Sequence, residues 1–194
     1  MKKLIIFLTA VTIITVFQLS MYAQTKSNLF KNIEENIQIN PMKGKFYPQK
    51  FYRSDYKGSN PEISLWIGAG FQEILRRAKP TEESGVVLYR SCNVIKPIED
   101  SIIIREFKIK PEDISIALNH IASFLMKQKN GEEGYLSKKG AGIVTYNFFF
   151  IKTNSSIFEV AIYWDLYDLR WYVDGWEYEK DISWVRGNRF FARN

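Results

Sequence analysis

The chain has 194 residues, of which 46% are hydrophobic and 25% charged, with a formal net charge of +6. That is the balance of an ordinary globular protein long enough to bury one core, and it excludes a disordered or fibrous chain. A single cysteine, Cys92, excludes an internal disulfide, so packing must supply the stability. It sits in a strand-like run and reads as a buried, inert thiol.

The N-terminus has the form of a secretory leader. Lys2 and Lys3 precede an apolar run from Leu4 to Phe17, and Met21-Tyr22-Ala23 suits cleavage before Gln24. The run is about 14 residues, short of the roughly 20 that span a bilayer. No cysteine closes it, so a lipid anchor at that point is excluded. The expected division is a signal peptide over 1–23, an N-terminal strap over 24–59 and one α+β domain over 60–194. Localisation is expected to be periplasmic or extracellular, with no membrane span after cleavage.

In the strap, Leu29, Ile33 and Ile37 recur every four residues and predict a short helix over 28–37. Residues 43–57 are basic and aromatic and predict an extended segment lying on the domain. Asn60-Pro61-Glu62 suits a helix start, and Ile63, Trp66, Ile67, Phe71, Ile74, Leu75 and Ala78 continue a 3.6-residue stripe, so a helix is expected over 61–79. Runs 85–95 and 101–110 read as two strands of a hairpin. Pro111-Glu112-Asp113 opens a second amphipathic helix over 111–129, carrying Ile114, Ala117, Leu118, Ile121, Ala122 and Leu125 on its stripe.

The last fifty residues organise the rest. Four runs of β-branched and aromatic residues between 143 and 193 are each strand length and are separated by Asn, Ser, Asp and Lys. They predict a four-stranded antiparallel meander. The fold class is therefore α+β: a mainly antiparallel sheet with two amphipathic helices on one face.

The residues that carry chemistry are sparse. His120, the one histidine, falls roughly 130° from the centre of its helix stripe at about 100° per residue, which predicts a solvent-facing side chain. A Ser-His-Asp, Cys-His or zinc apparatus has little to draw on, and neither a metal nor a cofactor is expected. Gly140-Ala141-Gly142 precedes a strand and so lacks the context of a phosphate loop. Asn154-Ser155-Ser156 reads as a turn. The acids near the last loops match no calcium-loop spacing.

Alternation along the final strands predicts one purely apolar face and one mixed face. Tyr146, Phe148, Phe150, Val160, Ile162, Trp171 and Val173 fall on the first. Asn147, Phe149, Glu159, Tyr163, Arg170, Tyr172 and Asp174 fall on the second. The strap could cover the mixed face, or the face could be a binding surface with Tyr anchors and polar partners. On the binding reading its ligand residues are Asn147, Glu159, Tyr163, Arg170, Tyr172 and Asp174. The function expected is a non-catalytic binding protein of the bacterial cell envelope, meeting an envelope protein or a polar or anionic polymer but no nucleic acid. The alternative is a hydrolase acting on a polar polymer through a carboxylate pair such as Glu159 and Asp174.

Overall fold

The computed structural model describes residues 29–53, 62–138, 144–179, 183–184 and 186–194. The leader, the Asn60-Pro61 helix start and the Gly140–Gly142 run lie outside them. Twelve strands and four helices are described. The strands are β1 Phe30–Ile39, β2 Lys45–Phe46, β3 Leu65–Ile67, β4 Thr81–Glu82, β5 Val87–Val94, β6 Ile98–Glu99, β7 Glu112–Asp113, β8 Asn147–Lys152, β9 Ile157–Asp165, β10 Arg170–Glu177, β11 Ser183–Trp184 and β12 Arg189–Arg193. The helices are α1 Pro48–Phe51, α2 Ala69–Arg77, α3 Asp100–Glu106 and α4 Ile114–Lys127.

The fold is mixed α and β around one large, mostly antiparallel sheet. Its strand order is β1-β5-β12-β8-β9-β10-β3, with β7 beside β8, and β2/β4 and β6/β11 form two small ribbons. The β12/β8, β10/β3 and β7/β8 pairs are parallel.

Each face of the sheet carries a core. On one face Phe149, Ile151, Val160, Ile162, Trp171, Val173 and Phe191 pack with Phe71 and Ile74 of α2 and Leu118, Ile121 and Leu125 of α4. On the other, Phe148, Phe150, Phe190 and Cys92 pack with Ile103, Phe107 and Ile98 around α3. Among the described residues no helix is long and apolar enough to cross a membrane.

Several expectations are corrected. Residues 30–39 form an edge strand rather than a helix. Asn32 and Asn36 take positive φ, and the pairing with β5 slips at both places. Each bulge shifts the phase of the side chains and the two shifts cancel, so Phe30 joins one core and Ile37 and Ile39 the other as simple alternation would place them.

The helix expected over 61–79 is half strand. Leu65–Ile67 runs parallel to β10, and α2 begins only after Gly68. A Cβ at Gly70 would lie 1.8 Å from the Gly175 carbonyl oxygen, and one at Gly68 would lie 2.1 Å from the Asp174 carboxyl carbon. These glycines let the chain turn hard against β10. The 101–110 strand is instead α3, ending before Phe107. Its isoleucines fill the second core whether helical or extended, and packing overrides β propensity. The final meander has three strands, since β12 leaves it and inserts between β5 and β8.

Within the 43–57 segment, the described residues put Phe46, Phe51 and Tyr52 into the helix-covered core. They do not lie over the opposite face.

Candidate functional site

The second face of β9 and β10 holds two neighbouring clusters. Antiparallel partners directly opposite one another project to the same side. Tyr163 stands opposite Tyr172, Ala161 opposite Asp174, and Glu159 opposite Trp176. On the far side of β10, Trp66 of β3 aligns with Tyr172.

The first cluster is a row of rings. Trp66 stacks on Tyr172 with centroids 4.9 Å apart. Tyr172 stacks on Tyr163, also at 4.9 Å and tilted by only 19°. Tyr146 meets Tyr163 edge-on at 5.1 Å. The row crosses the sheet at right angles to the strands. Trp66 is 39% exposed, while Tyr146, Tyr163 and Tyr172 are half-buried. Asp168 accepts a hydrogen bond from the Tyr172 hydroxyl and faces Arg170 across 3.5 Å. The Asp168 bond, then burial and the Asp168 charge, push the Tyr172 hydroxyl up to about 12. Burial, followed by Tyr146 and the nearby aspartates, raises Tyr163 as well. Both tyrosines stay neutral at ordinary pH, with the Tyr172 proton given to Asp168. Asp165 Oδ1 accepts the amides of Tyr167 and Asp168 at 2.8 Å and fixes the β9–β10 turn that bears Asp168.

The second cluster is a closed carboxyl pair. Glu159 and Asp100 are both fully buried and adjoin one another, and Glu159 Oε1 and Asp100 Oδ2 meet no donor among the described residues. Trp176 Nε1 donates to Glu159 Oε2 at 3.0 Å, and the Trp184 indole donates to Asp100. Burial, then the adjoining carboxyl and charge of Asp100, hold the Glu159 carboxyl far above the usual carboxylate range, and burial raises Asp100 too. Two carboxyls enclosed in such a box are both driven toward the protonated form.

The predicted ligand residues thus separate. Tyr163, Tyr172 and Arg170 gather around Asp168. Glu159 lies on the same face but beneath Trp176 and Trp184. Asp174 shares the face, yet its Oδ1 accepts the amides of Phe71 at 3.3 Å and Gly175 at 2.8 Å, so it is engaged at the start of α2. The Glu159–Asp174 pairing is replaced by Glu159–Asp100.

Asn147 is on the opposite face. The β8/β9 register sets it against Ile162, and it is fully buried. It ties Ser137 to the sheet by bonds of 2.7 and 3.0 Å and donates to the Ile162 carbonyl at 3.0 Å. The face assignment of β8 was inverted by one residue, which exchanges every side chain. Phe150, not Phe149, shares the face of Glu159 and stands directly opposite it.

His120 is corrected as well. It is fully buried, with Nε2 at 2.5 Å from Glu83 Oε2 and Nδ1 at 2.8 Å from the Tyr89 hydroxyl. Glu112 Oε2 lies 3.3 Å from Nδ1. Arg193 bridges Glu112 and Glu83 at 3.2 and 3.3 Å. Burial tends to raise the Glu112 carboxyl, but His120, Tyr89 and Arg193 together outweigh it and leave it lowered. Helix α4 is covered almost all round, so the polar side of its stripe is interior.

Sequence reasoning missed Trp66, Tyr146, Asp168 and Asp100. The Gly68–Gly70 pair was the signal that could have moved Trp66 from a helix to a sheet edge. Among the described residues, no three His, Cys, Asp or Glu side chains are grouped to hold a metal ion. No family model, curated protein or solved structure matches the chain, so its function rests on this geometry.

Proposed function

We propose that this chain is an exported, non-catalytic binding protein of the bacterial cell envelope, and that the row Trp66–Tyr172–Tyr163–Tyr146 is its working surface. The observation that carries this reading is the row itself: four rings aligned across adjacent strands and left partly open. Elsewhere on that face Phe148, Phe150 and Phe190 are buried beneath α3 and the β6/β11 ribbon. The leader-like first 23 residues support export. Aromatic faces offer a rigid apolar platform and tyrosine hydroxyls a polar edge, a pairing suited to binding with little entropy loss.

The flanking charges favour a neutral partner here. Asp165 and Asp168 adjoin the row and Arg170 is paired with Asp168. The occupant is therefore a polar, uncharged polymer, such as a glycan chain whose C–H faces rest on the rings and whose hydroxyls reach Asp168 and Arg170.

Titration with a chitooligosaccharide, read through tryptophan fluorescence and calorimetry, tests this. Tyr163→Ala with Tyr172→Ala should abolish binding while the protein stays folded, at a cost of about 1–3 kcal/mol for two half-buried rings. Binding that survives the double substitution, or unfolding by several kcal/mol, would defeat the reading. Mass spectrometry of secreted protein beginning at Gln24 tests export, and intact Met1 in membranes would oppose it.

The Glu159–Asp100 pair favours a second reading, a carboxylate hydrolase. It requires Trp176 and Trp184 to swing aside. Release of reducing sugar by the unmodified protein, lost in Glu159→Gln, would replace the binding reading.

A further inference from the structure

Two clefts open side by side where α4 begins, and both have Asp113 and Ile116 in their walls. The first, about 660 Å³, gathers Arg90, Lys108, Lys110, Lys152 and Arg193. Its two acids are already engaged. Glu112 faces Arg193 and His120, and Asp113 Oδ1 accepts the Ser115 amide at 3.0 Å as the cap of α4. Arg90 is held in place, because its Nη2 donates to the carbonyls of Phe107 and Lys108 at 2.9 and 3.1 Å. Lys110 and Lys152 make no ion pair among the described residues. Cations crowded this way repel one another, and an anion between them relieves that repulsion.

The second cleft, about 710 Å³, differs in chemistry. Thr81, Ser115, Thr153, Asn154 and Ser155 line it with hydroxyls and an amide, beside Lys79 and Arg77. Arg77 is paired with Glu73. A charged cleft continuous with a hydroxyl-rich one suits a ligand that is acidic at one point and polyhydroxylated next to it.

We propose that the paired clefts bind an acidic glycan, with its anionic group among Lys110, Lys152 and Arg90 and the adjoining sugar hydroxyls against Thr81, Asn154 and Ser155. The site is distinct from the aromatic row and does not rest on it.

Fluorescence anisotropy of the full chain with labelled polygalacturonate, neutral dextran and inorganic polyphosphate tests the proposal. Polygalacturonate should bind, weaken as salt rises from about 50 to about 150 mM, and outcompete both other probes. Lys110→Gln with Lys152→Gln should cost about tenfold in affinity, and Lys110→Arg with Lys152→Arg should restore it. Lys43→Gln with Lys129→Gln, neither of which lines the clefts, should leave affinity unchanged. Asn154→Ala with Ser155→Ala should weaken polygalacturonate and leave polyphosphate as it was. The proposal is overturned if the Gln pair binds like the parent, if the control pair loses as much, or if polyphosphate binds as tightly as polygalacturonate. Thermal midpoints of all variants should match the parent, since these side chains lie at the surface.

Discussion

Asp174 Oδ1 receives the backbone amide of Phe71 at 3.3 Å, so a carboxylate from β10 closes the start of α2. Sheet and helix are joined there by a side chain that the mixed-face pattern offered as a ligand group.

Removing that carboxylate should loosen α2 without disturbing the rest. Asp174→Ala is expected to cost about 1–2 kcal/mol, the range of a lost helix cap. Gly70→Ala should cost more, about 3 kcal/mol or above, because its Cβ would meet the Gly175 carbonyl at 1.8 Å. Urea unfolding measures both. A harmless Gly70→Ala would show that β3 and α2 do not approach β10 this closely.

Burial of the Glu159–Asp100 pair makes stability depend on pH. The folded protein holds the Glu159 proton far above the usual carboxylate range. That contribution is complete below the ordinary carboxylate pKa and is lost as pH rises through the raised folded value. Across that window, stability should fall by up to about 1.4 kcal/mol per pH unit for the single proton. Glu159→Gln keeps an amide donor toward Asp100 and removes the titration. Thermal melts at about pH 5 and about pH 8 should show the variant gaining on the parent as pH rises. Parallel curves would refute a raised Glu159 carboxyl.

The lowered carboxyl of Glu112 acts in the opposite direction. Its contribution is present above the ordinary carboxylate pKa and disappears as pH falls through the lowered folded value. Glu112→Gln should cost about 1–3 kcal/mol at neutral pH, and the deficit should close in acid as the parent loses the same interaction. A deficit that stays constant down to about pH 3 would mean that Glu112 contributes shape and not charge.

Asn147 should behave as a structural residue. Its bond to Ile162 is buried and its two bonds to Ser137 are partly so, so Asn147→Ala is expected to cost about 2–4 kcal/mol. Hydrogen exchange at the Ser137 amide should accelerate at the same time. Unchanged exchange there would contradict the buried register of β8.

The strands were readable where hydrophobic runs sit on both sides of a turn, as at Phe158–Trp164 and Trp171–Val173. In both, alternation reports the faces directly. It failed at β8 because Asn147-Phe148-Phe149-Phe150-Ile151 is buried on both sides, and a run that is apolar throughout carries no phase. It failed at β1 because Asn32 and Asn36 break the phase twice. Tyr163 and Tyr172 were found as neighbours because they stand opposite across a tight hairpin. Trp66 reaches the same row only through a parallel pairing more than a hundred residues distant in sequence, and no local pattern encodes that. His120 was misplaced for a related reason. Helical angle tells which residues share a side but not how many sides the rest of the chain will cover.

The insertion of β12 between β5 and β8 has a consequence for the order of assembly. The β1–β5 pair and the β8-β9-β10-β3 group share no direct ladder, and residues 189–193 are the seam between them. While the chain is being made, the β1–β5 pair can form early and the β8-β9-β10-β3 group only after residue 177, and β5 and the Asn147–Phe149 stretch of β8 lack their inner partner until Arg189–Arg193 arrives. The nascent protein therefore carries two exposed strand edges late into synthesis, that of β8 rich in phenylalanine, the state in which a holdase or a neighbouring copy would most readily capture it.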